Sequence, residues 1–222
     1  MCTNPTYLEE TAHLWTATLI PNGVDVDRFV PGPGDRCAFD LPGDVPIVLM
    51  VSAAIASKRV EAGIRAVAQL PDAMLVVAGD GVLRHELDTL GQKLLGSRYR
   101  RLTVSADRMP DLYRCADAFL HLSSDESFGN VYVEALVSGL PCVVHDYDLT
   151  RWIYDGAATL VDATDESTIV AGLRTALRAG PPTSEIVAAA HARFSWATIA
   201  DRYREFFQRV LETTAATSEI SA

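Results

Sequence analysis

From residue 46 onward the sequence predicts an α/β fold: a doubly wound, Rossmann-like parallel sheet of about six strands. Three observations predict it. Short apolar runs recur at 47–52, 73–79, 102–105, 118–123, 141–145 and 158–162. They are rich in Val, Leu and Ile on both faces, as strands buried between helical layers are. The stretches between them have helical period. Strict alternation of the two, joined by right-handed crossovers, places helices on both faces of the sheet. With 222 residues, 49% of them hydrophobic, the chain can build a full core without disulfides or a structural metal.

Residues 6–15, TYLEETAHLW, read as one helix. The segment that follows carries Pro21, Gly23, Pro31, Gly32, Pro33 and Gly34 and reads as an interdomain-type linker over 20–45. Residues 1–19 are then expected to be the end of a preceding domain. In the α/β region, Val60, Ile64, Val67 and Ala68 form one helical stripe, and Leu83, Leu87, Leu90 and Leu94 another. After the last strand, 165–180 starts acidic and stops at Gly180-Pro181-Pro182. A helix over 183–194 follows, then one over 195–214 capped by Ser195 with a stripe of Ile199, Tyr203, Phe206, Phe207 and Val210. Residues 215–222 are expected to be a disordered tail.

The formal charge of -10, from 19 basic and 29 acidic residues, argues against binding nucleic acid through its phosphates. It also argues against a polybasic membrane anchor. Cys2, Cys37, Cys115 and Cys142 are far apart and form no C-x-x-C pair, so neither a disulfide framework nor a zinc site is expected. The longest weakly polar run, 45–56, is too short to span a bilayer. The first ten residues lack the basic and apolar regions of a signal peptide, and a cytoplasmic setting is expected.

The most informative segment is SSDESFGNVYVEALVSGLPCVVHD, residues 123–146. It leaves a buried strand, crosses a polar loop and enters a helix that starts near Gly129 and stops at Gly139. In open α/β sheets ligands bind at the carboxyl ends of strands. The N–H groups around Ser127, Phe128, Gly129 and Asn130 suit a phosphate or diphosphate. Asn130, Glu134 and Ser138 share a helix face at i, i+4 and i+8. A carboxylate such as Glu134 can accept from both hydroxyls of a ribose, while Glu126 is placed for a group beyond the phosphates.

The spacing Glu126-x7-Glu134 within ESFGNVYVEALVSGLP resembles the donor-binding, C-terminal half of the retaining GT-B glycosyltransferases, specifically glycosyltransferase family 4. Other segments agree in order: IPNGVDVDRF (20–29), VSAAIASKR (51–59), VVAGDGVLRHEL (76–87) and MPDLYRCADAFLHLS (109–123). The resemblance covers roughly residues 18–212. It implies retaining hexosyl transfer from a nucleoside diphosphate sugar such as a UDP- or GDP-sugar to an acceptor hydroxyl, with no obligatory cofactor or metal. Glu134 matches the residue that holds the donor ribose, and Glu126 the one near the transferred sugar. Lys58 matches the lysine that neutralises the leaving diphosphate. Phe128, Gly129 and Asn130 match the stretch on the donor sugar and diphosphate, and Asp80-Gly81 a turn lining the donor cleft. The acceptor-binding N-terminal domain is expected to lie outside this chain or on another one, and any peripheral membrane contact would come through it.

Two departures stand out. Ser52 and Ala53 occupy the positions where the family carries Gly-Arg, so one phosphate-binding guanidinium is missing, with Arg59 a candidate substitute. DYDLTRWI (146–153) replaces the usual G-G and glutamate. A non-catalytic nucleotide-sugar-binding module, acting as sensor or partner subunit, is the alternative reading, and a sugar-nucleotide epimerase a third. His121 and His145 sit at strand ends with no nucleophile motif around them and read first as hydrogen-bonded core residues. The pairs Asp25/Asp27 and Asp146/Asp148 spell D-x-D, but the fold reading requires no metal there.

Overall fold

The computed structural model describes residues 1–14 and 17–220, with side chains described through residue 213. Six strands, β1 (Ile47–Val51), β2 (Met74–Ala78), β3 (Tyr99–Leu102), β4 (Ala118–His121), β5 (Cys142–His145) and β6 (Ala158–Val161), form one parallel sheet in the order β3-β2-β1-β4-β5-β6. The chain winds outward from β1 to β3, then returns to place β4 on the other side of β1. The topological switch point therefore lies between β1 and β4. This is the doubly wound, Rossmann-like sheet expected from the sequence.

Alternate side chains of each strand feed opposite cores. On one face, Val48, Met50, Leu75 and Val77 pack under α2 (Val60–Ala68), α3 (Arg84–Leu95) and α7 (Glu166–Ala179). On the other, Ile47, Leu49, Val76, Phe119 and Val144 pack under α4 (Met109–Arg114), α5 (Asn130–Val137), α6 (Asp148–Tyr154) and α8 (Ser184–Phe194). The first predicted stripe is buried at Val60, Ile64 and Val67. The second turns slightly: Leu87, Gly91 and Leu95 face the core, and Leu94 is exposed.

Three expectations are corrected. The third strand is Tyr99–Leu102, ahead of the predicted 102–105. It is an edge strand whose polar residues are satisfied sideways: Arg101 binds Asp88, Arg100 binds Asp40, and Tyr99 donates to Asp88 at 3.0 Å. Apolarity on both faces is a signature of central strands, so the search for it misses this one. The first helix, α1 (Pro5–Thr11), is shorter than predicted. Asn4 caps it by accepting from the N–H of Thr6, and the predicted end at Trp15 lies outside the described residues. Separately, the linker-like segment packs on the domain: Ile20, Val24, Phe29, Phe39 and Leu41 are buried between its prolines and glycines. Finally, α9 (Trp196–Ile220) continues through 215–220, which contain no Gly or Pro to stop it. The last two tail residues, 221 and 222, lie outside the described residues.

Asp117 ties this segment to the sheet. Its Oδ2 accepts from the N–H of Ile47 at 2.7 Å and from Arg36 at 2.6 Å. Arg36 also donates to the carbonyls of Cys115, Gly43 and Val45.

Candidate donor-binding site

The switch point opens into a cleft of about 350 Å³. One wall is the loop after β1 with Ser52, Ala53 and Lys58, and the other runs from Glu126 to Val131 after β4. The strands end here because their carboxyl ends hand the chain to helices that start at the cleft. Gly129 makes the second turn: its φ is +75°, and a Cβ would lie 2.6 Å from the Tyr132 ring. Among the described residues no side chain caps α5, and its first residues, Asn130 and Val131, line the cleft at the positive end of the helix dipole.

Of the residues predicted from sequence, Lys58, Glu126, Ser127, Phe128, Gly129 and Asn130 share this cleft. Lys58 Nζ lies 2.6 Å from Glu126 Oε1, and His121 Nε2 lies 2.9 Å from the same oxygen. Lys58 also reaches Ser123 Oγ at 3.4 Å and the Asp125 carbonyl at 3.3 Å. Burial pushes the Glu126 carboxyl up, but the hydrogen bonds from His121 and Lys58 outweigh it, and the group stays below the usual carboxylate range.

Glu134 lies outside the cleft wall, one helical turn beyond Asn130 on the same face of α5. Its Oε2 accepts from the hydroxyl of the buried Tyr113 at 2.8 Å. Burial pushes this carboxyl up, and the Tyr113 bond offsets only part of the shift. The two carboxylates thus shift in opposite directions: the donors outweigh burial at Glu126, and burial outweighs the Tyr113 donor at Glu134.

Asp80 and Gly81 form the turn after β2, beside the β1 loop. The Ala54 N–H donates to the Asp80 carbonyl at 2.9 Å, and the Asp80 side chain is taken by the Gly81 N–H and Arg84. Gly79 permits the close approach, since a Cβ there would meet the Ser52 carbonyl oxygen at 2.0 Å.

Arg59 is not brought into the cleft. It adopts φ +51° between Lys58 and α2, and its side chain lines a larger groove of about 560 Å³ among α2, α3 and α7. That groove mixes apolar residues with Glu61, Arg65, Glu86 and Glu166, and neither Glu126 nor Glu134 lines it. Among the described residues lining the cleft, Lys58 is the one Lys or Arg.

Three contributors were missed or undervalued from sequence. Asn22, from the linker-like segment, enters the cleft and donates to Asn130 Oδ1 at 2.9 Å. Asn4 Nδ2 donates to the Glu126 carbonyl at 3.2 Å. His121 lines the cleft under Glu126. For Asn22 the signal was present in IPNGVD, a polar residue flanked by turn formers. His145, by contrast, accepts from the Ala163 N–H at 3.2 Å and serves the sheet edge. Asp146 and Asp148 are both turned to Arg151.

Residues 35–193, more than half of the chain, match the family described as Glycosyl transferases group 1. The chain belongs to that family. A D-inositol 3-phosphate glycosyltransferase of Mycolicibacterium smegmatis is 33% identical over 85% of this chain and 46% of its own length. A GDP-mannose-dependent mannosyltransferase of the same organism, named for phosphatidylinositol monomannoside, is 30% identical over 68% of this chain and 44% of its own. The chain therefore spans about half the length of the curated relatives it matches. Among solved structures, sucrose-phosphate synthase from Thermosynechococcus elongatus superposes with a TM-score of 0.83 at 23% identity, over 96% of this chain and 58% of that one. Anabaena HepE in complex with UDP-glucose superposes at 0.80 and 21%, over 94% and 63%. These likenesses establish a shared fold for this group 1 glycosyl transferase domain. Among its described residues no helix is long and apolar enough to cross a membrane.

Proposed function

We propose that this chain is the donor-binding, C-terminal half of a retaining GT-B glycosyltransferase of family 4, using a nucleoside diphosphate sugar. The observation that carries the reading is the convergence of Lys58, Glu126 and the uncapped start of α5 on one cleft at the switch point. During transfer the bond from the sugar to the diphosphate breaks and a bond to an acceptor oxygen forms. Negative charge grows on the leaving diphosphate, and fixed positive dipoles with one cation stabilise it most effectively. Lys58 supplies the cation and α5 the dipole. Glu126 faces the transferred hexose, with Ser127, Phe128 and Asn130 along its path, and Glu134 takes the ribose hydroxyls. Asp80 and Gly81 support the β1 loop that forms one wall. No step calls on a metal.

The acceptor site belongs to an N-terminal domain beyond this chain, which also decides any peripheral membrane contact of an otherwise cytoplasmic enzyme. A non-catalytic sensor is not favoured: the relatives whose names state an activity are transferases. Calorimetric titration with UDP, GDP and ADP, then with the sugar conjugates of the one that binds, tests the reading. One nucleotide should bind, and Glu134→Ala should weaken it by about 1–3 kcal/mol, the cost of losing buried hydrogen bonds. Absence of binding by all three would remove the donor-site reading for this chain.

A further inference from the structure

His121 has no part in the chemistry above, yet it is more buried than Glu126, which it meets, or Lys58. Its side chain is 2% exposed, against 14% for Glu126 and 16% for Lys58. Phe119 stacks on the ring with centroids 6.0 Å apart and planes at 6°, and Tyr132 meets it edge-on at 4.8 Å. Nε2 lies 2.9 Å from Glu126 Oε1, while Nδ1 is buried with no hydrogen-bond partner among the described residues. A proton on Nδ1 would be stranded there and would leave a lone pair facing the carboxylate, so the proton sits on Nε2.

Glu126 Oε1 therefore has two donors of different character. Lys58 is a point charge on a flexible stem, and it is the side chain that a diphosphate would draw away. His121 is locked by two rings on the last residue of β4. We infer that His121 is a positioning residue that holds Glu126 in its cleft-facing orientation independently of Lys58. The inference relies on the donor-site reading only for what Glu126 faces; the His121 contact stands without it. The other titratable groups around Glu126 are Asp125 beside it, Tyr132 on α5 and Tyr147 ahead of α6. Burial pushes both tyrosines up, Tyr147 to about 12, so neither titrates in the acid range where Glu126 does.

The test is a pH titration of the Glu126 carboxyl by carbon-13 NMR in the full chain, for wild type, His121→Leu and His121→Gln. Each is repeated with Lys58→Met, which removes the second donor. His121→Leu should raise the Glu126 midpoint by about one pH unit, a tenfold change in proton affinity, in both backgrounds. His121→Gln keeps an N–H donor and should restore most of the shift. Nitrogen-15 signals of the wild-type ring should place the proton on Nε2, a readout that needs no variant to fold. An unchanged midpoint in His121→Leu, a His121→Gln midpoint displaced as far as that of Leu, or a proton on Nδ1 overturns the inference. Calorimetry with UDP-glucose and GDP-mannose on the same samples reports the donor reading separately, so the two can fail independently.

Discussion

Lys58 Nζ and Glu126 Oε1 lie 2.6 Å apart and join the loop after β1 to the loop after β4. The pair bridges the switch point, and both side chains are largely withdrawn from water. A mostly buried pair with a second donor on the same oxygen is costly to break from one side.

Glu126 gives the fold an acid-sensitive contribution. Its carboxyl is held below the usual range, so its ionised form stabilises the native state. That contribution is fully present above the unfolded value of about 4.3 and is lost as pH falls through the lower native value. Thermal melts of wild type and Glu126→Gln should differ most near neutrality and converge as pH drops below about 4.3. A gap that stays constant across that window would show that the carboxylate is not linked to folding.

Glu134 behaves in the opposite sense. Burial raises its carboxyl, so its contribution is present below the unfolded value and is lost as pH rises through the native one. Glu134→Gln should therefore leave the chain as stable or more stable at neutral pH, while nucleotide affinity falls about tenfold or more through loss of a charged acceptor. Melting and calorimetry on the same variant check the two halves together; a parallel loss of both would mean that Glu134 is structural.

Tyr113→Phe leaves Glu134 Oε2 without its donor in a buried setting. The expected cost is about 1–3 kcal/mol in denaturant unfolding. Nucleotide binding should weaken as well, because the carboxylate is no longer held; unaltered stability and affinity would contradict the contact.

Gly129→Ala forces a side chain into the left-handed region and against the Tyr132 ring. Strain of about 1–3 kcal/mol is expected, relieved by moving the start of α5. Nucleotide affinity should then drop more than in Ser127→Ala, which leaves the turn intact. Equal affinities for the two variants would mean that the turn does not shape the site.

Asp117→Ala removes the acceptor shared by Arg36 and the Ile47 N–H. A loss of about 2 kcal/mol is expected, because a buried donor and the linker clasp fail together. Limited proteolysis should show new cleavage within 30–45, and protection equal to wild type would argue that the buried Phe29, Phe39 and Leu41 suffice to dock that segment.

Local chemistry in the sequence determined much of this protein. Helical period, Val/Leu/Ile runs and the Gly139 and Gly180 stops give the order of elements, because each depends on neighbours within a few residues. Glu126, Phe128, Gly129 and Asn130 were legible as one site for the same reason: a single turn carries them all. The tertiary structure alone decided which distant groups meet them. Lys58 reaches Glu126 only because β4 returns beside β1, and Tyr113 reaches Glu134 only because α4 and α5 pack on the same face of the sheet; neither strand order nor helix placement leaves a mark on local period. Arg59 follows Lys58 in sequence yet lines a different groove, because its left-handed backbone turns consecutive side chains apart. Edge strand β3 escaped the pattern since its polar side chains find partners across space, in Asp40 and Asp88. Long-range pairing is set by how the layers close on one another, and that closure minimises buried polar cost over the whole chain rather than within any window of it.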